Sequence, residues 1–201
     1  STVSDGGGVY CQSRSNPTLR NCTISGNSAR EGGGVFCTSS SPILTSCVIW
    51  DNVGGSLAIN SGSAPAVSYS CVDGAEVWPG IGNINQDPLF CGWGGAREVF
   101  VDSAGAADGD GTAENPYTDL VSVLEGFSLS LNQASPCIGA GEGGATMGAD
   151  TGICDAPAQG ERVLHLAEGT YSLEGHNPAH RVSILGAGAE ETVVEGTVYG
   201  L

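Results

Sequence analysis

Three carboxylates share the glycine-rich stretch Asp108-Gly109-Asp110-Gly111-Thr112-Ala113-Glu114-Asn115. Alternating acids in a glycine-rich loop can present several hard oxygens to calcium. The spacing is not that of an EF-hand loop. Asp108, Asp110 and Glu114 are the candidate ligands of a structural calcium. The competing expectation is a solvated turn, with Asp110 or Asn115 near the start of a short helix, Tyr117 to Glu125. No other cofactor is called for.

Other reactive side chains do not fall into working sets. His165, His176 and His180 are the only histidines. His165 alternates with Leu164 and Leu166, so it is expected on the outer side of a strand. His176 and His180 flank Asn177-Pro178-Ala179 and are expected in a loop. No Ser/His/Asp order or GxSxG motif appears. The glycine runs lack the lysine of a phosphate loop and the strand–helix setting of a dinucleotide site. They suit tight turns and positive φ instead. Eight cysteines are present, without a CxxC pair or zinc-type Cys/His spacing. Asn21-Cys22-Thr23 fits a glycosylation sequon, but Cys22 is expected to point inward.

Composition narrows the functional classes. The chain has 201 residues, enough for one sizeable domain, and 33 of them are glycine. It carries 22 acidic residues against six arginines and no lysine, for a net charge of −16. Nucleic acid needs phosphate-neutralising cations, so nucleic-acid binding is not expected. Neither is attachment to an anionic membrane. No apolar run reaches spanning length, so membrane insertion is not expected. No signal peptide is visible at Ser1; any targeting segment is expected to have been removed or to lie outside this sequence. The cysteines fit an exported, oxidising setting, secreted or at a cell surface.

The elements that must position these residues are repeats. GGGVYCQSRSNPTLRNCTISGN (Gly6 to Asn27), GGGVFCTSSSPILTSCVIWDN (Gly32 to Asn52) and GGSLAINSGSAPAVSYSCVDG (Gly54 to Gly74) align, with starts 26 and then 22 residues apart. Each contains a Gly-led strand, a polar bend, a Pro-led strand and a short Cys-led strand. Each reads as one coil of a parallel β-solenoid. Alternation places Val9 and Cys11, Val35 and Cys37, and Leu57 and Ile59 inward in the first strands. Leu19, Leu44 and Val67 align in the second. Cys22 with Ile24, Cys47 with Ile49, and Cys71 are expected to stack in the third. Asn21, Ser46 and Ser70 precede that strand, where a left-handed bend suits Asn21 best. Pro17, Pro42 and Pro65 mark strand starts.

Two cysteine ladders follow: Cys11 over Cys37, and Cys22 over Cys47 over Cys71. Adjacent coils bring Cα atoms within disulfide range, and free buried thiols also pack well as small apolar groups. Cys137 and Cys154 flank a glycine-rich loop and are the leading expected disulfide.

These coils resemble the right-handed parallel β-helix proteins of the pectin-lyase-like superfamily, and particularly the secreted β-helix repeat proteins of environmental bacteria. Also similar are GNINQDPLF (Gly82 to Phe90), VFVDSAGAADGDGTAENPY (Val99 to Tyr117), SLSLNQASPCIGAG (Ser128 to Gly141), LHLAEGTYSLEG (Leu164 to Gly175) and VSILGAGAEETVVEG (Val182 to Gly196). The resemblance implies an all-β, right-handed parallel β-helix. The expected layout is one domain over 1–201: Cys-ladder coils in 1–91, an acidic loop and short helix in 92–126, a closing-type segment in 127–160, and further coils in 161–201.

The resemblance also implies an order that this sequence does not follow. The VFVD segment usually opens such a helix, and the DPLF and SPCIGAG segments usually close it. Here the GGGVYC coils come first and the opening-type segment follows at Val99. The readings are a permuted β-helix, one period of a longer array, or a protomer stacking end to end on copies of itself.

Lyases on this fold use Lys or Arg near a carboxylate-bound calcium. This sequence has no lysine, and no aspartate cluster accompanies Arg14, Arg20 or Arg30. A hydrolase would need converging carboxylates, but Asp5, Asp51 and Asp73 fall near coil ends. Ice binding would need ranks of threonine, and no TxT occurs. The favoured expectation is a non-catalytic extracellular structural β-helix, forming filaments or part of a surface or matrix. The alternative is a polysaccharide-binding or lyase-like β-helix, with Trp50, Trp78 and Trp93 stacking on sugars.

Overall fold

The computed structural model describes residues 5–92, 98–125, 128–155, 162–172, 182–187 and 192–195. The first nine strands are β1 (Val9–Gln12), β2 (Thr18–Arg20), β3 (Thr23–Ser25), β4 (Val35–Thr38), β5 (Ile43–Thr45), β6 (Val48–Trp50), β7 (Leu57–Asn60), β8 (Ala66–Ser68) and β9 (Cys71–Val72). Then come β10 (Phe90–Gly92), β11 (Glu98–Val101), helix α1 (Leu120–Glu125), β12 (Ser128–Asn132) and β13 (Ile153–Cys154). The last are β14 (Arg162–Leu166), β15 (Gly169–Ser172), β16 (Val182–Gly186) and β17 (Thr192–Glu195). The chain forms two compact units, Ser1–Phe90 with Leu129–Asp155, and Cys91–Ser128 with Ala156–Leu201.

In the first unit the three repeats are three coils. Parallel sheets β1-β4-β7, β2-β5-β8 and β3-β6-β9 form its sides. The register stacks Val9 on Val35 on Leu57, and Cys11 on Cys37 on Ile59. Leu19, Leu44 and Val67 form the row of the second side. Val35, Cys37, Leu44, Cys47 and Ile49 are fully buried in one core. Each buried aliphatic side chain contributes about 1.5–3 kcal/mol. Pro17, Pro42 and Pro65 each precede a strand by one residue, where a missing donor costs nothing in the ladder.

The glycine triplets let coils approach closely. A Cβ on Gly33 would lie 1.9 Å from the Val53 carbonyl oxygen, and one on Gly34 would lie 2.4 Å from that of Ser56. Any larger residue would push coil 2 off coil 3.

The third side departs from the expected alignment by one residue. The left-handed bends fall at Asn21, Ser46 and Tyr69, with φ of 49°, 55° and 48°. Cys71 pairs with Val48, and Val72 with Ile49. Cys22 and Cys47 do remain neighbours, as the Val48 N–H donates to the Cys22 carbonyl at 2.9 Å. The cause is spacing: three positions separate Leu19 from Cys22 and Leu44 from Cys47, but four separate Val67 from Cys71. A one-residue shift reverses the face. Cys71 therefore leaves the inner column, and Ser70 takes the place opposite Cys47, its Oγ accepting the Cys47 N–H at 3.0 Å.

Segment 129–149 covers the outer face of this third side. Ser46 anchors it twice: its carbonyl accepts from Gly148 N–H at 2.7 Å and its Oγ from Glu142 N–H at 2.9 Å. Thr23 Oγ1 accepts from Ala149 N–H at 2.9 Å. Beneath lies a second core of Val48, Trp50, Cys71, Phe90, Leu131, Cys137 and Met147. Val48, Ile49 and Trp50 are consequently all buried, without alternation.

The second unit has sheets β11-β14-β16 and β15-β17. Val99, Leu164 and Ile184 stack in register, one residue from each strand of the first sheet. Val99, Val101, Leu120, Val123, Leu164, Leu166 and Tyr171 form its core. Two of these belong to α1, which thus packs against the core. Asp119 caps the helix by accepting N–H bonds from Val121 and Ser122. The helix starts later than Tyr117 because Tyr117 bridges to Val101 instead: its N–H donates to the Phe100 carbonyl, and its own carbonyl accepts from Asp102.

Candidate functional site

The parts able to act on a partner are the coil edges, the cysteines and the acidic loop. In the first unit, β1, β2 and β3 are the edge strands of their sheets, and among the described residues no strand pairs with their outer side. Val9, Leu19 and Cys22 are only partly buried, whereas their neighbours one coil inward, Val35, Leu44 and Cys47, are fully buried. Tyr10 is exposed and stacks on buried Phe36, with centroids 5.4 Å apart and planes 9° from parallel. At the other end, Trp78 packs on the core. Asn83 there donates to the carbonyls of Val67 and Trp78 and accepts the Ser70 N–H. On the first coil Val9, Leu19 and Cys22 are partly exposed while Cys11 and Ile24 are buried; on the third, Ile59 is 50% exposed and Leu57 partly exposed beside the Trp78 loop.

Asn27 and Asn52 tie the coils together, a role that the sequence reading did not assign to them. Asn52 is 7% exposed. Its Nδ2 donates to the carbonyls of Ile24 and Trp50 at 3.0 and 3.1 Å. Its Oδ1 accepts from the Asn27 backbone and side chain. The sequence signal was available: each closes its coil, as Gly-Asn or Asp-Asn.

Residues 1–85 match the family model described as the right handed beta helix region. The parallel, in-register coils over the same residues agree with that match. The chain has a parallel β-helix fold. No curated protein and no solved structure matches it.

Around this β-helix, the sequence-derived candidates are placed as follows. Asp110 accepts from Thr112 N–H at 3.0 Å and from Thr112 Oγ1 at 2.8 Å, and these bonds hold its carboxyl below the usual range. Asn115 Nδ2 donates to the Asp108 carbonyl at 3.3 Å. The loop is an Asx-type turn closed by its own groups. Asp108, Asp110 and Glu114 are not gathered: among the described residues no three His, Cys, Asp or Glu side chains are grouped to hold a metal ion.

His165 does face outward. Its ring stacks on Phe100 at 4.4 Å, and its Nε2 lies 3.9 Å from Glu98. His165 and Phe100, together with Asp102 and Pro116, line a shallow cleft of about 220 Å³. Asp102 already accepts the Ala104 N–H at 2.9 Å, so the cleft offers one imidazole and no pair of uncommitted carboxylates. His176, His180 and Trp93 lie outside the described residues. Trp50 is buried beneath the closing segment, and Trp78 is partly buried against the coil core.

Six cysteines are free thiols: Cys11, Cys22, Cys37, Cys47, Cys71 and Cys137. Cys91 and Cys154 are disulfide-bonded. The expected Cys137–Cys154 bond is therefore not formed, because Cys137 is turned into the core beneath the closing segment. Burial pushes the Cys37 thiol up to about 12, assisted by Cys11 beside it. Burial likewise raises Cys47 to about 11. Protonated thiols of this kind are packing groups, not nucleophiles.

No helix among the described residues is long and apolar enough to cross a membrane.

Proposed function

We propose that this β-helix is an exported, non-catalytic structural protein that stacks end to end with copies of itself. The observation that carries the reading is the edge β1–β2–β3, whose outer side pairs with no strand among the described residues and along which Val9, Leu19 and Cys22 are partly exposed. A second copy adding a strand to each side would continue three ladders and one apolar core. In the second unit β16 and β17 also lie at sheet edges. Two unlike edges make a head-to-tail contact, which builds open filaments unless it closes into a ring.

The disulfide-bonded Cys91 and Cys154 support an oxidising compartment. Asp110, Asp102 and Asp119 serve their own turns or caps. A net charge of −16 would oppose contact between copies, so the reading includes assembly strengthened by salt or cations. Sedimentation velocity across protein and salt concentration tests it. Growth of large species with salt supports stacking, and a single small species throughout removes it.

A further inference from the structure

We propose that Cys71 and Cys137 are an oxidisable pair whose disulfide fastens the closing segment to the outer face of the third coil. Both are free, both are 0% exposed, and both belong to the core beneath segment 129–149. Each is the neighbour that most perturbs the other's thiol, raising Cys71 and lowering Cys137. They come from opposing elements: Cys71 points out of β9 into this core, and Cys137 enters it from the covering segment.

That approach separates this pair from the other two. Cys11 and Cys37 are in-register neighbours on parallel strands, and Cys22 and Cys47 are neighbours in the same way. Parallel side chains keep roughly the 4.8 Å strand spacing out to Cβ, wider than the roughly 3.5–4.5 Å of a disulfide. Opposed side chains carry no such restriction.

Both backbones are already fixed. Cys71 N–H donates to the Cys47 carbonyl at 2.8 Å, and the Cys137 carbonyl accepts from Met147 at 2.9 Å. Cys137 N–H donates to Ser135 Oγ at 3.2 Å. Cys71 Sγ donates its one proton to the Gln86 carbonyl at 3.1 Å. The neighbouring Cys71 lowers the Cys137 thiol while Cys71 itself is raised, which makes Cys137 the attacking sulfur.

The oxidant is a small-molecule disulfide such as oxidised glutathione, meeting the pair during folding or local opening. Cys137 thiolate attacks one sulfur of that disulfide, forming a mixed disulfide and expelling one small thiolate. Cys71 thiolate then attacks the Cys137 sulfur, forming the Cys71–Cys137 bond and expelling the second. Two protein thiols lose two protons and two electrons, and one small disulfide becomes two thiols.

Refolding the full chain across a series of reduced-to-oxidised glutathione ratios, followed by alkylation and peptide mapping without reduction, decides the matter. Expected is a peptide pair joined through Cys71 and Cys137, with denatured thiols falling from six to four once Cys91 and Cys154 are bonded. The proposal is overturned if Cys71 and Cys137 are both alkylated at ratios where Cys91 and Cys154 are oxidised. It is equally overturned if either is joined to a different cysteine. Neither result depends on end-to-end stacking.

Discussion

Asn52 carries four hydrogen bonds from a nearly buried side chain, two given to Ile24 and Trp50 carbonyls and two accepted from Asn27. Replacing it by alanine strands two buried carbonyls, and each unsatisfied group costs about 1–3 kcal/mol. Asn52→Ala is expected to lose a few kcal/mol in guanidinium unfolding, while an exposed control such as Ser63→Ala stays within about 0.5 kcal/mol.

The buried thiols give a second residue-scale expectation. Cys37 and Cys47 titrate near 12 and 11 in the folded chain, against an ordinary value of 9.0. The folded state therefore holds these protons more tightly than the unfolded state. Their contribution is complete below about pH 9 and is lost as pH rises towards 11 and 12. Under reducing conditions the unfolding midpoint should fall over that window, and Cys37→Ala should flatten the fall. A flat profile in the parent chain would contradict the burial of these thiols.

At the scale of elements, the coils were legible because their signals are local and repeated. Alternation identified the inner rows through Leu19, Leu44 and Val67, and proline marked strand starts. The third side was misread at one point, since aligning cysteines by letter hid the extra residue between Val67 and Cys71. Position of the left-handed bend, not residue identity, sets that register: Tyr69 adopts it although it is neither Gly nor Asn. The covering of β6 by segment 129–149 was illegible for a different reason. It rests on contacts between residues roughly a hundred positions apart, such as Ser46 with Glu142, and no pattern within a repeat encodes them.

Two tests belong to this scale. Leu44 is fully buried in the middle coil, so Leu44→Ala should cost about 2–5 kcal/mol. The Asp108–Asn115 turn is closed by its own Thr112 and Asn115 bonds, so millimolar calcium should leave the melting temperature unchanged. An upward shift that disappears in Asp110→Asn would show that the loop binds the ion.

For the whole molecule, a β-helix carries its inner row along its axis, and each end is either covered or available. In the first unit the loop around Trp78 and Asn83 packs on part of one end, where Ile59 stays 50% exposed, while β1, β2 and β3 line the other. Unpaired strand edges of this kind are what the proposed end-to-end addition requires. Placing a lysine on the edge blunts strand addition; Leu19→Lys should therefore reduce assembly while the inner coils, whose core lies beyond Leu44, stay folded by circular dichroism. Electron microscopy of negatively stained native material is the most direct test of the account. It predicts filaments or end-joined rods that lengthen with protein concentration and salt, and dispersed single particles at every concentration would contradict it.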